Sequence, residues 1–508
     1  MPGQDAKATD AGEKLRSVAP REKQSSLNLG QKIGLVLGPA LCLLIYLFLR
    51  PAGLGRDGVA ALAGTAWIAV WWVTEAIPIP ITSLVPIVLF PALGLGSVGH
   101  VVDAYADPTL FLFLGGFIIA VGIERWNLHR RIALGVISGL GTSPPRLVLG
   151  FMLATGAISA FISNSATAMM MLPIGLAVIK QITELRVSNG EKVNTAGEHF
   201  PVLILLAIAY AASIGGVGAI IGSPPNAIMV GVAASALGIE ISFFDYMLVG
   251  MPLFLAFILL AWRILLWVMP PGFDEVPGSR ELVRRQLAQL GPMSNEEWKV
   301  LGVFCTTALL WITYPFLLKG VVPGISDAMV AIFGALLLFL IPSSRGGGEF
   351  LLDASALREL PWGVLLLFGA GFCIADTFQT TGVAVWLSSF LEALAGAPLI
   401  LIVMAVAAMM TFLTEITSNT AVAAIFMPVL ASLGTALGVD PTVLMMVGAV
   451  ACALAFMLPV GTPPNAIVFS TGHVSIRQMI RAGFFLNLAA IATITLFGYF
   501  WIPLVWGR

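Results

Sequence analysis

Long apolar runs separated by short polar stretches make up most of the chain. In the first half they fall at 33–49, 59–72, 81–95, 110–123, 147–162, 168–179, 201–221, 227–237 and 247–269. The second half continues with runs at 300–318, 328–341, 362–375, 399–416, 421–433, 443–460 and 484–505. A straight helix needs about 20 apolar residues to cross the hydrocarbon core, so the longer runs read as membrane spans. Residues 1–32 are polar and lack the apolar centre of a signal peptide, which predicts a cytoplasmic tail. Residues 272–299 predict a cytoplasmic linker with one amphipathic helix, dividing 33–271 from 300–508.

The runs are interrupted in a repeated way. Ser163-Asn164-Ser165 sits inside one apolar segment and Ser418-Asn419-Thr420 inside another. Gly222-Ser223-Pro224-Pro225-Asn226 follows the first, and Gly461-Thr462-Pro463-Pro464-Asn465 follows the second. Proline removes backbone donors and breaks helices. Lipid cannot satisfy the groups so freed, so irregular polar backbone at this depth must line a cavity within the protein. Paired breaks in corresponding positions of two halves point to a transporter binding site. The arms around each tip are short, which predicts re-entrant hairpins near 146–180 and 398–434.

Ser163 and Ser418 are 255 residues apart, as are Asn164 and Asn419, Pro173 and Pro428, and Gly116 and Gly371. With both pairs treated as hairpins, roughly 21 lysines and arginines fall on the tail side of the membrane and 4 on the other, which makes the tail side cytoplasmic. Basic loops flank the first hairpin and none flank the second, so the first opens inward and the second outward. The predicted architecture is all-α and polytopic, an inverted repeat of about eleven transmembrane helices and two re-entrant hairpins. It places the N-terminus in the cytoplasm and the C-terminus outside.

Composition agrees: 58% of residues are hydrophobic, 10% are charged, and mean hydropathy is +0.97. The net charge of -1 says nothing about partners, and no basic tract suggests nucleic acid. Cys42, Cys305, Cys373 and Cys452 lie in apolar stretches without C-x-x-C spacing and read as core filler, without disulfide or metal. Trp71, Trp72, Trp126, Trp362, Trp501 and Trp506 fall near segment ends, as an interfacial belt requires.

The tips and breaks offer amides from Asn164, Asn226, Asn419 and Asn465, and hydroxyls from Ser163, Ser165, Ser223, Ser418, Thr420 and Thr462. Half-helix starts suit an anion, and freed carbonyls with hydroxyls suit a hard cation such as Na⁺. No histidine or cysteine is on offer for a transition metal. No lysine or arginine lies in these stretches, so a dianion here needs bound cations to offset its burial. A neutral solute remains compatible with the same groups. Glu415 is the one nearby acid; a ligand role and a capping or interhelical role stand side by side. An intramembrane enzyme would need a nucleophile with its base, or paired acids, within the spans, and neither pattern occurs. A channel would show unsaturable, uncoupled flux.

Seven stretches carry a resemblance. They are WWVTEAIPIPITSLVPIVLFPALGLG (71–96), DPTLFLFLGGFIIAVGIERWNLHRRIAL (107–134), SNSATAMMMLP (163–173), GSPPNAI (222–228), PWGVLLLFGAGFCIA (361–375), TEITSNTAVAAIFMP (414–428) and GTPPNAI (461–467). Through them the chain resembles the divalent anion/sodium symporters, the group that includes solute carrier family 13 and bacterial dicarboxylate transporters. The resemblance implies a homodimer whose substrate-carrying domain slides like an elevator against a rigid scaffold. It implies one sodium site at Ser159, Ser163, Asn164 and Gly222, and another at Thr414, Thr417, Asn419 and Gly461. It implies carboxylate contacts from Asn164, Ser165, Ser223, Asn419, Thr420 and Thr462, with Pro224 and Pro463 adjoining. Ser165 and Ser223 stand where threonine is usual, keeping the hydroxyl and losing a methyl.

The expectation is sodium-coupled uptake of a C4-dicarboxylate such as succinate, malate or fumarate across a bacterial-type inner membrane, with at least two Na⁺ per dianion and no organic cofactor. Sulfate or tricarboxylate symport, and sodium-independent exchange on the same fold, are the alternatives.

Overall fold

A computed structural model describes residues 28–507, apart from 142, 190–198, 274–284, 286, 319, 323, 345–348 and 392–395. Most of the expected tail, and most of the linker helix expected within 272–299, lie outside the described residues. Among the described residues the chain is helical, with one isolated bridge between Pro342 and Phe350. Nine helices or helix pairs among them are long and apolar enough to cross a membrane. Five shorter apolar helices accompany them.

The first half begins with α1 (Leu29–Phe48), α2 (Arg56–Thr74), α3 (Ile79–Thr82), α4 (Val85–Ala92), α5 (Val98–Asp103), α6 (Pro108–Arg125) and α7 (Leu128–Leu140). Then come α8 (Pro144–Ser159), α9 (Asn164–Ser188), α10 (His199–Gly216), α11 (Pro224–Leu237) and α12 (Phe243–Val268). The second half holds α13 (Asn295–Leu317), α14 (Asp327–Leu340), α15 (Trp362–Thr380), α16 (Val383–Leu391), α17 (Leu399–Thr414) and α18 (Asn419–Ala436). It closes with α19 (Pro441–Ala453), α20 (Pro463–Phe469), α21 (Ile476–Leu496) and α22 (Ile502–Trp506).

The repeat is built into these bounds. The α8–α9 pair turns through 160–163 and the α17–α18 pair through 415–418, 255 residues later. The residues entering α7 and α16 repeat as well: Asn127 (φ 57°) and Gly382 (φ 76°) are both left-handed and again 255 apart. A right-handed helix cannot continue through such a residue, so the chain changes direction at both places.

Two helices form the centre. α10 is buried at Phe200 and at every position from 202 to 216, and α19 at every position from 442 to 453. A helix apolar on all sides has no face to offer solvent or lipid, so it belongs in the interior. α10 packs against the α8–α9 hairpin, and α19 against α17–α18. Each then breaks, and its continuation crosses to the other half: α11 packs on α18, and α20 packs on α9. The two halves are thereby interlocked around four helix starts.

Around this unit, α6 lies close against α14, where a Cβ on Gly115 would fall 2.5 Å from the Ala331 carbonyl carbon. By contrast α1 is buried only at Gly34, Gly38 and Cys42 and leans on α2, whose Trp71 indole donates to Gly34 O at 3.0 Å. Two expectations are corrected. Trp72 belongs to no interfacial belt, being fully buried with its indole donating to Ser83 Oγ at 3.3 Å. Cys305 is exposed, whereas Cys42, Cys373 and Cys452 are buried; all four are free thiols.

Candidate functional site

Both tips follow one local plan. Ser163 caps α9 by accepting from Ala166 N at 3.3 Å, and Ser418 caps α18 by accepting from Ala421 N at 3.5 Å. A capping serine satisfies one of the orphan donors of a helix start and leaves the first N–H groups, here of Asn164 and Asn419, facing forward. The breaks follow a second plan. α11 and α20 each begin on Pro-Pro, which fixes helical φ and removes two of the orphan donors. Thr462 Oγ1 additionally accepts from Asn465 N at 3.3 Å.

These four starts meet on one cavity of about 720 Å³. Ser163, Asn164, Ser165, Gly222, Ser223 and Pro224 line it from the first half. Thr417, Ser418, Asn419, Thr420, Gly461, Thr462 and Pro463 line it from the second. Ser159 and Thr414, both fully buried, stand just behind the tips. Residues that the sequence separates by some three hundred positions are thus brought to one place.

Behind each tip, oxygens crowd together. The inward atom of the Asn164 amide lies 2.8 Å from Ser159 Oγ, 3.0 Å from Ala212 O and 3.1 Å from Gly222 O. Ser159 Oγ in turn donates to Ala212 O at 2.7 Å. Turned nitrogen-first, the amide shares its two N–H hydrogens among these three oxygens. Turned oxygen-first, four oxygens face one another with a single hydroxyl proton among them, an arrangement that a hard cation stabilises. The second half repeats this. Thr414 Oγ1 lies against Asn419 Oδ1 and 3.1 Å from Cys452 O, and one hydroxyl proton cannot serve both acceptors. Close approach is essential: a Cβ on Gly216 would collide with the Asn164 amide.

Asn226 and Asn465 are not cavity residues. Both are fully buried, and their amides donate to carbonyls of the unwound stretches. Glu415 is 3% exposed, with Oε1 accepting from Phe456 N (2.7 Å), Met457 N (2.9 Å) and Asn487 Nδ2 (2.7 Å), and Oε2 from Leu458 N (3.0 Å). Its hydrogen bonds therefore brace the second break.

Some lining residues went unnoticed in the sequence. Asn28, Gln31, Thr74, Glu75, Phe113 and Phe117 also reach the cavity. Glu75 is the one charged side chain among the described lining residues; it has a left-handed backbone (φ 47°) and accepts from Gln31 Nε2 on its carbonyl at 3.2 Å. The signal available was the Asn28–Gln31 capping pair at the start of α1, which fixes that end of the helix.

A family model described as the sodium:sulfate symporter transmembrane region matches residues 31–507. The chain belongs to the sodium:sulfate symporter family. A member from Staphylococcus saprophyticus, the sodium-dependent dicarboxylate transporter SdcS, is 44% identical over 497 residues, covering 96% of this chain and 94% of the relative. The protein of the same name from Staphylococcus aureus (strain USA300) is 45% identical over 490 residues, covering 96% and 94%. Among solved structures, the Alcanivorax borkumensis YdaH transporter superposes with a TM-score of 0.51 at 14% identity, over 80% of this chain and 88% of that one. That likeness is one of fold.

Proposed function

We propose that this member of the symporter family carries C4-dicarboxylates, such as succinate, malate and fumarate, together with sodium, and that both are held where the tips and breaks meet. It is a multi-pass membrane transporter and not an enzyme. The observation that carries the reading is the pair of acceptor-rich clusters behind a cavity whose described lining contains no lysine or arginine. A dianion in such a place lacks a counter-charge unless cations bring it. The 44–45% identity to sodium-dependent dicarboxylate transporters over nearly the whole chain supports both the ion and the substrate class.

Each residue then has a task. Ser159, Ser163, Asn164 and Gly222 surround the first sodium, and Thr414, Thr417, Asn419 and Gly461 the second. The N–H groups at the starts of α9 and α18 meet the substrate carboxylates, aided by the hydroxyls of Ser165, Ser223, Thr420 and Thr462. Pro224 and Pro463 hold the helix starts rigid beside them. Two Na⁺ neutralise one dianion; more would make transport electrogenic. Sodium binding begins the ordering of the tips, and the substrate then completes the site.

Transport follows an elevator course in a homodimer: the interlocked hairpins and broken helices travel as one body against a scaffold that includes α6 and α14. The first hairpin opens to the cytoplasm and the second to the outside of the inner membrane, with the N-terminus cytoplasmic. The test is uptake of labelled succinate into proteoliposomes in sodium against choline, with sulfate, citrate and glutamate as competitors. Uptake that requires sodium and yields to dicarboxylates alone is expected. Equal uptake in choline would refute coupling, and displacement by sulfate would reassign the substrate.

A further inference from the structure

The two halves repeat each other closely around the tips, and one position differs in charge. Glu415 stands 255 residues after Ala160, at the same place in its hairpin. The surroundings match as well. A Cβ placed on Gly222 would lie 2.8 Å from the Ala160 carbonyl oxygen, while one placed on Gly461 would lie 3.0 Å from Glu415 Oε2. Where the first half presents a neutral carbonyl to its glycine, the second presents a carboxylate.

All of the hydrogen-bond partners named for this carboxylate are donors: three consecutive backbone N–H groups and the Asn487 amide. Four donors and no acceptor is the hydrogen-bond pattern a carboxylate takes. In the first half the corresponding turn closes on itself, with Val217 N donating to Ile214 O at 3.3 Å and Gly218 N to Gly215 O at 2.8 Å. Those two N–H groups need no outside acceptor. Glu415 is therefore an addition to one half, and it brings a net charge. Backbone dipoles stabilise the carboxylate without cancelling that charge, and it is too deeply buried for salt to screen.

We propose that Glu415 makes the two cation sites unequal: its fixed negative charge strengthens the site at Thr414, Asn419 and Gly461, so that this site fills first and the neutral one at Ser159, Asn164 and Gly222 fills later, with the substrate. Glu415 touches neither ion nor dianion; it is a positioning residue acting through Gly461 and the 456–458 backbone. The proposal rests on the sodium-coupled reading above.

The experiment uses full-length protein in detergent, without substrate, and follows the melting temperature as NaCl replaces choline chloride at constant ionic strength. Wild type gains stability with sodium at one midpoint. Asn164→Ala keeps that midpoint, and Asn419→Ala loses the response. Glu415→Gln, which keeps the shape and one acceptor oxygen, moves the midpoint up by about tenfold or more, as loss of one weakly screened charge at close range requires. Glu415→Asp keeps the charge and stays nearer wild type. In proteoliposomes, Glu415→Gln also raises the sodium concentration for half-maximal uptake while leaving much of the rate at saturating sodium.

A merely structural role predicts instead a lower rate at every sodium concentration with no shift in midpoint, and that result overturns the proposal. So does loss of the response in both asparagine variants alike, a comparison that stands even if Glu415→Gln does not fold. If wild type shows no response and its uptake needs no sodium, the coupling reading itself has failed. If wild type responds and the variants do not rank as stated, only the role of Glu415 has failed.

Discussion

Asn226 and Asn465, 239 residues apart, make the same pair of hydrogen bonds. The first donates to Gly216 O (2.8 Å) and Ala219 O (2.9 Å), the second to Ala455 O (3.1 Å) and Leu458 O (3.1 Å). Each amide thus ties its new helix to carbonyls ten and seven residues back, where the old helix has come undone. A break inside a membrane leaves carbonyls without partners, and these two side chains supply them. Replacing either by alanine strands two buried acceptors, at about 1–3 kcal/mol each. Asn226→Ala and Asn465→Ala are expected to lower the melting temperature by several degrees. Aspartate at either position faces carbonyls with a carboxylate and should be worse than alanine, which detergent melting curves will show.

Gly216→Ala tests close approach at the first tip. The new Cβ collides with the Asn164 amide, so the oxygen cluster cannot keep its geometry. Sodium-dependent uptake should fall more than tenfold, with a smaller loss of stability because the displaced neighbour is a side chain and not backbone. Uptake at wild-type sodium dependence would remove the role given to that cluster.

Arg131 tests the frame around the site. Its guanidinium pairs with Glu297 (Nε–Oε1 2.8 Å, Nη2–Oε2 3.2 Å) and also donates to Gly291 O at 2.9 Å. Glu297 in turn caps α13, accepting from Ser294 N at 2.7 Å. Both side chains are largely shielded, so cutting the pair leaves a poorly solvated carboxylate, at a cost of about 2–4 kcal/mol. Arg131→Ala should destabilise the protein while uptake per folded molecule stays near wild type. Arg131→Lys should not restore it, since an ammonium cannot reproduce the two-pronged contact.

The parts of this site that were legible in the sequence are those where the backbone itself is broken. Polar tips and Pro-Pro pairs in apolar runs leave few physical options, and a constant offset of 255 ties the halves together. Side-chain direction was not legible. Asn226 and Asn465 look like site amides by position, yet the turn after each break points them at backbone and away from the cavity. Trp72 lies near a segment end, but the bend at Glu75 folds α3 back over it, so it is covered by protein. Glu75 and Gln31 reach the cavity through contacts between distant segments, which no local pattern announces. Glu415 showed itself only as an isolated acid; its partners lie at 456–458 and 487.

We propose that the two repeat-related tips hold sodium beside a dianion. The most direct test is labelled succinate uptake into proteoliposomes under an inward sodium gradient, for wild type, Asn164→Ala and Asn419→Ala, each shown to be folded. Sodium-driven uptake in wild type and background levels in both variants are expected. Unchanged, sodium-driven uptake in both variants would contradict the proposal.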